Sequence, residues 1–154
     1  MKVKLKIDPE VPDAVVAITA SAKNTEVEQL YVWVKQKDTQ AQMVEGFKDN
    51  RIFYLETSKI LFFETDGRQV IAHTQDQAYV IKAKLYELEH RLGSDFMRIS
   101  KSTILNLTQI YALTRSISDC QIQFQNTYKK VYVSRRYYHD LRQRLDQERH
   151  SHEN

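Results

Sequence analysis

The sequence predicts a mainly β protein with a few short helices, and three observations carry that expectation. From Met43 onward, runs rich in β-branched and aromatic residues recur, among them Arg51 to Glu56, Ile60 to Thr65 and Val70 to Thr74. Turn signals such as Asp66-Gly67 and Gln75-Asp76 separate them. Helical spacing is confined to three short stretches. A chain of 154 residues is most simply one domain, with room for a small extra element at one end.

The elements follow in order. In residues 1–8, Val3, Leu5 and Ile7 alternate with Lys2, Lys4 and Lys6, a strand pattern. After the Pro9/Pro12 break, Ala14 to Ala20 reads as a second strand. Thr25 with Glu28 forms a capping-box pattern, each side chain able to satisfy a free amide at a helix start. Val27, Leu30, Tyr31 and Val34 then share one face of a helix over about 26–37. Residues 1–42 thus predict a β-β-α appendage, set off from the rest by the polar stretch 36–42.

Residues 43–145 form the main domain. Beyond the strands already named, a run ends at Ile81, after which Ile81, Leu85, Leu88 and Leu92 share a helical face and Gly93 supplies a stop. Strands resume at Phe96, Ile104, Ile110 and Cys120, and over 130–133. Ser134 can cap a last helix that turns Tyr138, Leu141 and Leu145 inward, and residues 146–154 read as a polar tail.

Composition excludes several classes. Three glycines and two prolines leave no room for a glycine-rich nucleotide loop. No apolar run approaches the roughly 18 residues of a membrane span, and the N-terminus lacks a signal-peptide pattern. One cysteine, Cys120, excludes an internal disulfide and fits a reducing cytoplasm. His73, His90, His139, His150 and His152 are dispersed, so no metal or other cofactor is expected. Ser100 and Ser102 lack a nucleophile elbow. Glu56 and Glu64 can be read as an acid pair, but accepting neighbouring hydrogen bonds is the simpler role. Cys120 has nothing nearby in sequence to activate it. No enzyme chemistry or small-molecule substrate is expected.

Charge gives the better signal. Between Phe96 and Leu145, Arg98, Lys101, Arg115, Lys129, Lys130, Arg135, Arg136, Arg142 and Arg144 face only Asp119 and Asp140. Such asymmetry suits a polyanion, although a solvated basic face would look the same. Two clusters stand out. Arg98 and Lys101 flank a strand–turn junction with Ser100, Ser102 and Thr103, and Arg135 and Arg136 follow Ser134 at a helix start, where free amides favour an anion.

The runs ILFFET (60–65), KLYELEHRL (84–92), FMRISKSTILNLTQI (96–110) and VYVSRRY (131–137), matching in order and spacing over about 43–145, resemble the LytTR DNA-binding domain of LytR/AgrA-type regulators. The resemblance implies elongated, mainly antiparallel sheets with a short helix between strands, and loops that read successive major grooves of double-stranded DNA. Carried over by motif position, Arg68, Lys101 and Arg136 are the expected base contacts. Arg98, Ser100, Ser102, Ser134 and Arg135 are the expected phosphate contacts. Lys101 departs from the family pattern, in which Asn can occupy that place. Residues 1–42 are too few for a phospho-receiver domain, so the chain resembles the stand-alone type. That type implies a cytoplasmic bacterial transcription regulator, a homodimer on repeated half-sites, with a membrane protein as possible regulatory partner. The alternative is a protein-interaction or anti-regulator module that has kept the fold and lost DNA binding.

Overall fold

The computed structural model describes residues 2, 4, 6–10, 15–39 and 42–153, with side chains except at 36–39 and 148–153. The chain divides into two compact units, Met1–Gln40 and Ala41–Asn154.

In the first unit, helix α1 spans Thr25–Thr39. Its cap is Asn24, whose Oδ1 accepts the Val27 N–H at 2.9 Å, one residue ahead of the expected Thr25–Glu28 box. Val27, Leu30 and Val34 are half-buried as expected, but Tyr31 is exposed. The two strands expected before the helix are not found among the described residues. Residues 1, 3, 5 and 14 lie outside the described residues, and the described members of both stretches carry no strand. Alternation alone makes no strand, because the backbone needs a neighbouring strand to satisfy its N–H and C=O groups. Val15 and Val16 are largely exposed instead.

The second unit is built on antiparallel strands. A first hairpin joins β1 (Met43–Lys48) to β2 (Arg51–Glu56) through Asp49 and Asn50, both at positive φ, the pattern of a type I′ turn. A second joins β3 (Phe62–Asp66) to β4 (Gln69–His73) through Gly67, at φ 62°, and Arg68. Then follow β5 (Ala78–Ile81), α2 (Leu85–Arg91), β6 (Phe96–Ser100), β7 (Thr103–Asn106), β8 (Ile110–Arg115), β9 (Cys120–Phe124), β10 (Lys130–Tyr132) and α3 (Arg135–Glu153). Seven strands form one sheet in the order β2-β1-β5-β4-β3-β7-β6, and three form another, β10-β9-β8.

The large sheet is buried on both faces along its β3–β7 side. Phe63 and Ile104 turn to one face, where α2 supplies Leu85 and Leu88, joined by Leu92. Phe62 and Leu105 turn to the other, against Ile122, Phe124 and Leu141 of the small sheet and α3. Every residue of β7 is consequently buried. A strand enclosed on two sides shows a continuous apolar run where a half-exposed one alternates.

Helix α2 is shorter than its apolar periodicity. Ile81 ends β5, and Leu92 is already extended at φ −74°, ψ 145°. Gly93 therefore adopts no left-handed cap; the only positive-φ glycine is Gly67. At the other end, α3 continues to Glu153 where a polar tail is expected from Asp146. The tail contains no glycine or proline, and Gln147, Glu148 and Arg149 favour a helix, so nothing stops the helix at 146.

Asn106, with no exposed surface, fastens the short helical turns at Thr57–Lys59 and Leu107–Gln109 to each other. Its amide donates to the Ile60 carbonyl at 2.8 Å, and its Oδ1 accepts the Thr108 N–H at 3.1 Å and the Thr108 hydroxyl at 2.7 Å.

Candidate nucleic-acid interface

Two backbone hydrogen bonds gather the expected site. Thr65 N–H donates to the Ser102 carbonyl at 2.8 Å, holding the end of β3 against the β6–β7 turn. Arg68 follows in the next turn of the same hairpin. Ser134 N–H donates to the Ile99 carbonyl at 2.9 Å, holding the start of α3 against the end of β6. Arg68, Lys101 and Arg136 therefore stand on three neighbouring segments at one end of the domain, and all three are exposed.

The β6–β7 turn is internally completed. Arg98 pairs with Ile104 and Ser100 with Thr103, leaving Ile99 as the extra residue of a bulge. Bulges re-aim a strand end and free a backbone group from its ladder. Here Ser134 takes the freed Ile99 carbonyl. The Ser100 hydroxyl accepts the Ser102 N–H at 3.2 Å and lies 3.4 Å from the Ser102 hydroxyl. Arg98 takes the remaining carbonyls, donating from Nε to Ser100 at 2.8 Å and from Nη2 to Lys101. Its Nη1 donates to Glu89 Oε2 on α2 at 2.9 Å. Three N–H groups of Arg98 are thus engaged inside the protein. The Lys101 side chain projects from this frame.

At the start of α3, Ser134 occupies the cap position, and its carbonyl accepts the Tyr137 N–H at 3.0 Å. Arg135 and Arg136 are exposed, with the Arg136 guanidinium 5.6 Å from the Tyr137 ring centre. Helix-end amides, the Ser134 hydroxyl and two guanidinium groups together give this end a polarity that favours an anion.

Not all the bases of this region face outward for a partner. Lys129 donates to the Thr74 and Gln77 carbonyls at 2.9 and 2.7 Å, and burial lowers its pKa. Arg115 stacks over the Tyr138 ring at 4.2 Å. Arg144 donates to the Ser94 carbonyl. These long side chains stitch segments together, and sequence counting alone could not separate them from the outward ones.

The remaining titratable candidates are structural. Glu64 accepts from His73 Nε2 at 2.7 Å, and His73 stacks on Phe62 at 4.4 Å. Burial, partly opposed by the bond to Glu64, lowers the His73 pKa. The Glu56 carboxylate lies 3.7 Å from Lys59 on the surface. Burial raises the Cys120 pKa, so its thiol stays neutral inside the core. Among the described residues no three His, Cys, Asp or Glu side chains gather as a metal site, and no helix is long and apolar enough to cross a membrane. Two residues that matter here act beyond their immediate neighbours: Glu89 on Arg98, nine residues on, and the Asn106 amide on the Ile60 carbonyl.

An antiparallel β scaffold that gathers cationic turns and a cationic helix start at one end suits a nucleic-acid-binding domain. The three helices are separated by strands, so no bihelical unit is present among the described residues. The chain belongs to the LytTr DNA-binding domain family, whose model matches residues 50–146. It is 30% identical over 145 residues to a protein named an uncharacterized HTH-type transcriptional regulator in Staphylococcus aureus strain MSSA476, covering 94% of this chain and 98% of that relative. A relative of the same description in Staphylococcus aureus strain NCTC 8325 / PS 47 matches with the same identity and coverage. A solved LytTr DNA-binding domain from Bacillus cereus superposes with a TM-score of 0.62 at 24% identity, covering 67% of this chain and 95% of that one.

Proposed function

We propose that this protein is a sequence-specific transcription regulator of the bacterial cytoplasm that binds double-stranded DNA, two copies sitting on repeated half-sites. The convergence of the Arg68, Lys101 and Arg136 segments, held by the Thr65–Ser102 and Ser134–Ile99 bonds, is the observation that supports this reading. Turns at one end of a β scaffold can enter grooves without helix insertion. Arg68, Lys101 and Arg136 are the base readers, since guanidinium and ammonium groups reach guanine O6 and N7. Ser102, Ser134 and Arg135 hold phosphates, fixing register without carrying sequence information. Ser100 contributes chiefly by closing its own turn.

Selection of bound duplexes from a random pool by the purified protein should enrich one repeated motif. Against single-base variants of that motif, Arg136→Ala should lose about 1–3 kcal/mol of discrimination at one position, and Lys101→Ala at another. Arg135→Ala should weaken all sequences alike and flatten the salt dependence by about one unit. Recovery of no motif would leave the fold as a protein-interaction module and overturn the proposal.

A further inference from the structure

The geometry points to Glu89 and Arg98 as positioning residues that hold the Lys101 turn in its reading shape, resting on the DNA-reading role proposed above. Neither touches the nucleic acid in this scheme. Arg98 extends from β6 with only 19% of its side chain exposed, and its fork spans two different parts of the fold. Nε and Nη2 close on the carbonyls of Ser100 and Lys101, the two residues that lead into the turn. Nη1 reaches the Glu89 carboxylate on α2. A planar guanidinium can make these three bonds at once only in one orientation, and the carboxylate selects it.

The arrangement is needed because the turn follows a bulge. The extra residue Ile99 breaks the β6–β7 ladder just before Ser100, and Lys101 lies in the turn beyond the Ser100–Thr103 pair, so sheet pairing does not fix the Lys101 carbonyl. Without Arg98 the Lys101 carbonyl would rotate toward water and carry the Lys101 side chain with it. With Arg98 in place, the Lys101 ammonium leaves from a fixed backbone, so less freedom is lost when it meets a base. Helix α2, whose Leu85 and Leu88 are locked in the core, provides the rigid post for Glu89.

Two opposite outcomes are available for Glu89→Gln in the full-length protein. Simple electrostatics has the loss of a negative charge near DNA strengthen binding. The positioning role has it weaken operator binding, on the order of three- to five-fold for a partly exposed ion pair, with preference relaxed at the base that Lys101 reads. Arg98→Gln should weaken operator binding further while leaving the salt slope unchanged, and the double variant should be no worse than Arg98→Gln. Were Arg98 instead neutralising a phosphate, its removal would flatten the slope by about 0.9. Hydrogen exchange by NMR without DNA gives an independent readout: both variants should speed exchange at the Ser102 and Thr103 amides with the unfolding midpoint unchanged. Tighter operator binding by Glu89→Gln, or a flattened slope for Arg98→Gln, overturns the positioning role. Faster exchange in a protein that selects no DNA motif would keep the clamp and reject the reading on which its purpose rests.

Discussion

Removing the Asn106 side chain tests whether buried amide bonds, rather than apolar packing alone, hold the end of the sheet opposite the site to its neighbours. In Asn106→Ala the Ile60 carbonyl loses its donor at 2.8 Å, and both residues are fully buried. An orphaned buried carbonyl costs about 1–3 kcal/mol. The Thr108 N–H and hydroxyl lose their acceptor too, but Thr108 is exposed and water replaces most of that loss. A small cavity adds a further fraction, giving about 2–4 kcal/mol in all. Asn106→Asp keeps the shape but turns a carboxylate oxygen toward the Ile60 carbonyl. Burial and that carbonyl both disfavour the charged form, so the folded-state pKa of the new acid lies above its unfolded value. The penalty is then absent below the unfolded pKa, near 4, and grows as pH rises toward the folded one. Urea unfolding followed by far-ultraviolet circular dichroism reads both effects; the single tryptophan, Trp33, lies in the other unit and reports on α1. Asn106→Ala should lower the midpoint with the slope unchanged. Asn106→Asp should be the weaker protein at pH 7.5 and recover toward the Ala variant or beyond at pH 4.5. A loss below about 1 kcal/mol for Asn106→Ala, or an Asp variant whose deficit ignores pH, would refute this account.

Gly46→Ala should cost about 1–3 kcal/mol without changing DNA preference, because a Cβ there would stand 2.7 Å from Leu55 Cδ1 and 2.8 Å from Tyr79 Cβ. Thermal unfolding paired with operator titration separates the two effects. Cys120→Ala should cost roughly 1 kcal/mol by cavity formation in the core of the small sheet. Because burial raises the folded thiol pKa, the native protein loses stability as pH climbs through the ordinary thiol range, and the alanine variant should lack that component. An alkaline stability profile that is unchanged by the substitution would contradict the buried, neutral thiol.

Most of the second unit is legible in the sequence because its strands are marked by β-branched runs and its turns by residues with a specific backbone task. Gly67 does what the Asp66-Gly67 pair promises. The donor-rich run from Arg98 to Thr103 is readable as a presented turn but not as a self-completed one. Whether an arginine projects or folds back depends on the Ser100 and Lys101 carbonyls and on Glu89, nine residues earlier. For the same reason Arg98 resembles a phosphate contact when only its neighbours in sequence are considered. In residues 1–20 the opposite error arises: alternating Lys and apolar residues fit a strand, but no neighbouring strand exists among the described residues to complete it. Asn24 instead of Thr25 as the cap is a shift of one residue, finer than capping preferences can distinguish.

Geometry also changes how many charges count. The bases between Phe96 and Leu145, together with Arg68, suggest ten phosphate-seeking groups in the sequence. Arg98, Arg115, Lys129 and Arg144 are spent on internal contacts. Arg142 faces Asp146 at 3.9 Å, and Lys130 begins β10, at the opposite end of that short strand from Ser134. Four exposed cations remain at the gathered end: Arg68, Lys101, Arg135 and Arg136. Each neutralised phosphate contributes about −0.9 to the slope of log affinity against log salt, so these four cations set a limit of roughly −3 to −4 for one bound copy, where ten contacts would give about −9. Base contacts by three of the four cations make the true slope shallower, never steeper. Titration of a single half-site duplex between low and moderate salt measures it directly. A slope near −9 per copy would mean that the stitched arginines and lysines release their internal partners on binding, and that the end described here is only part of the DNA-facing surface.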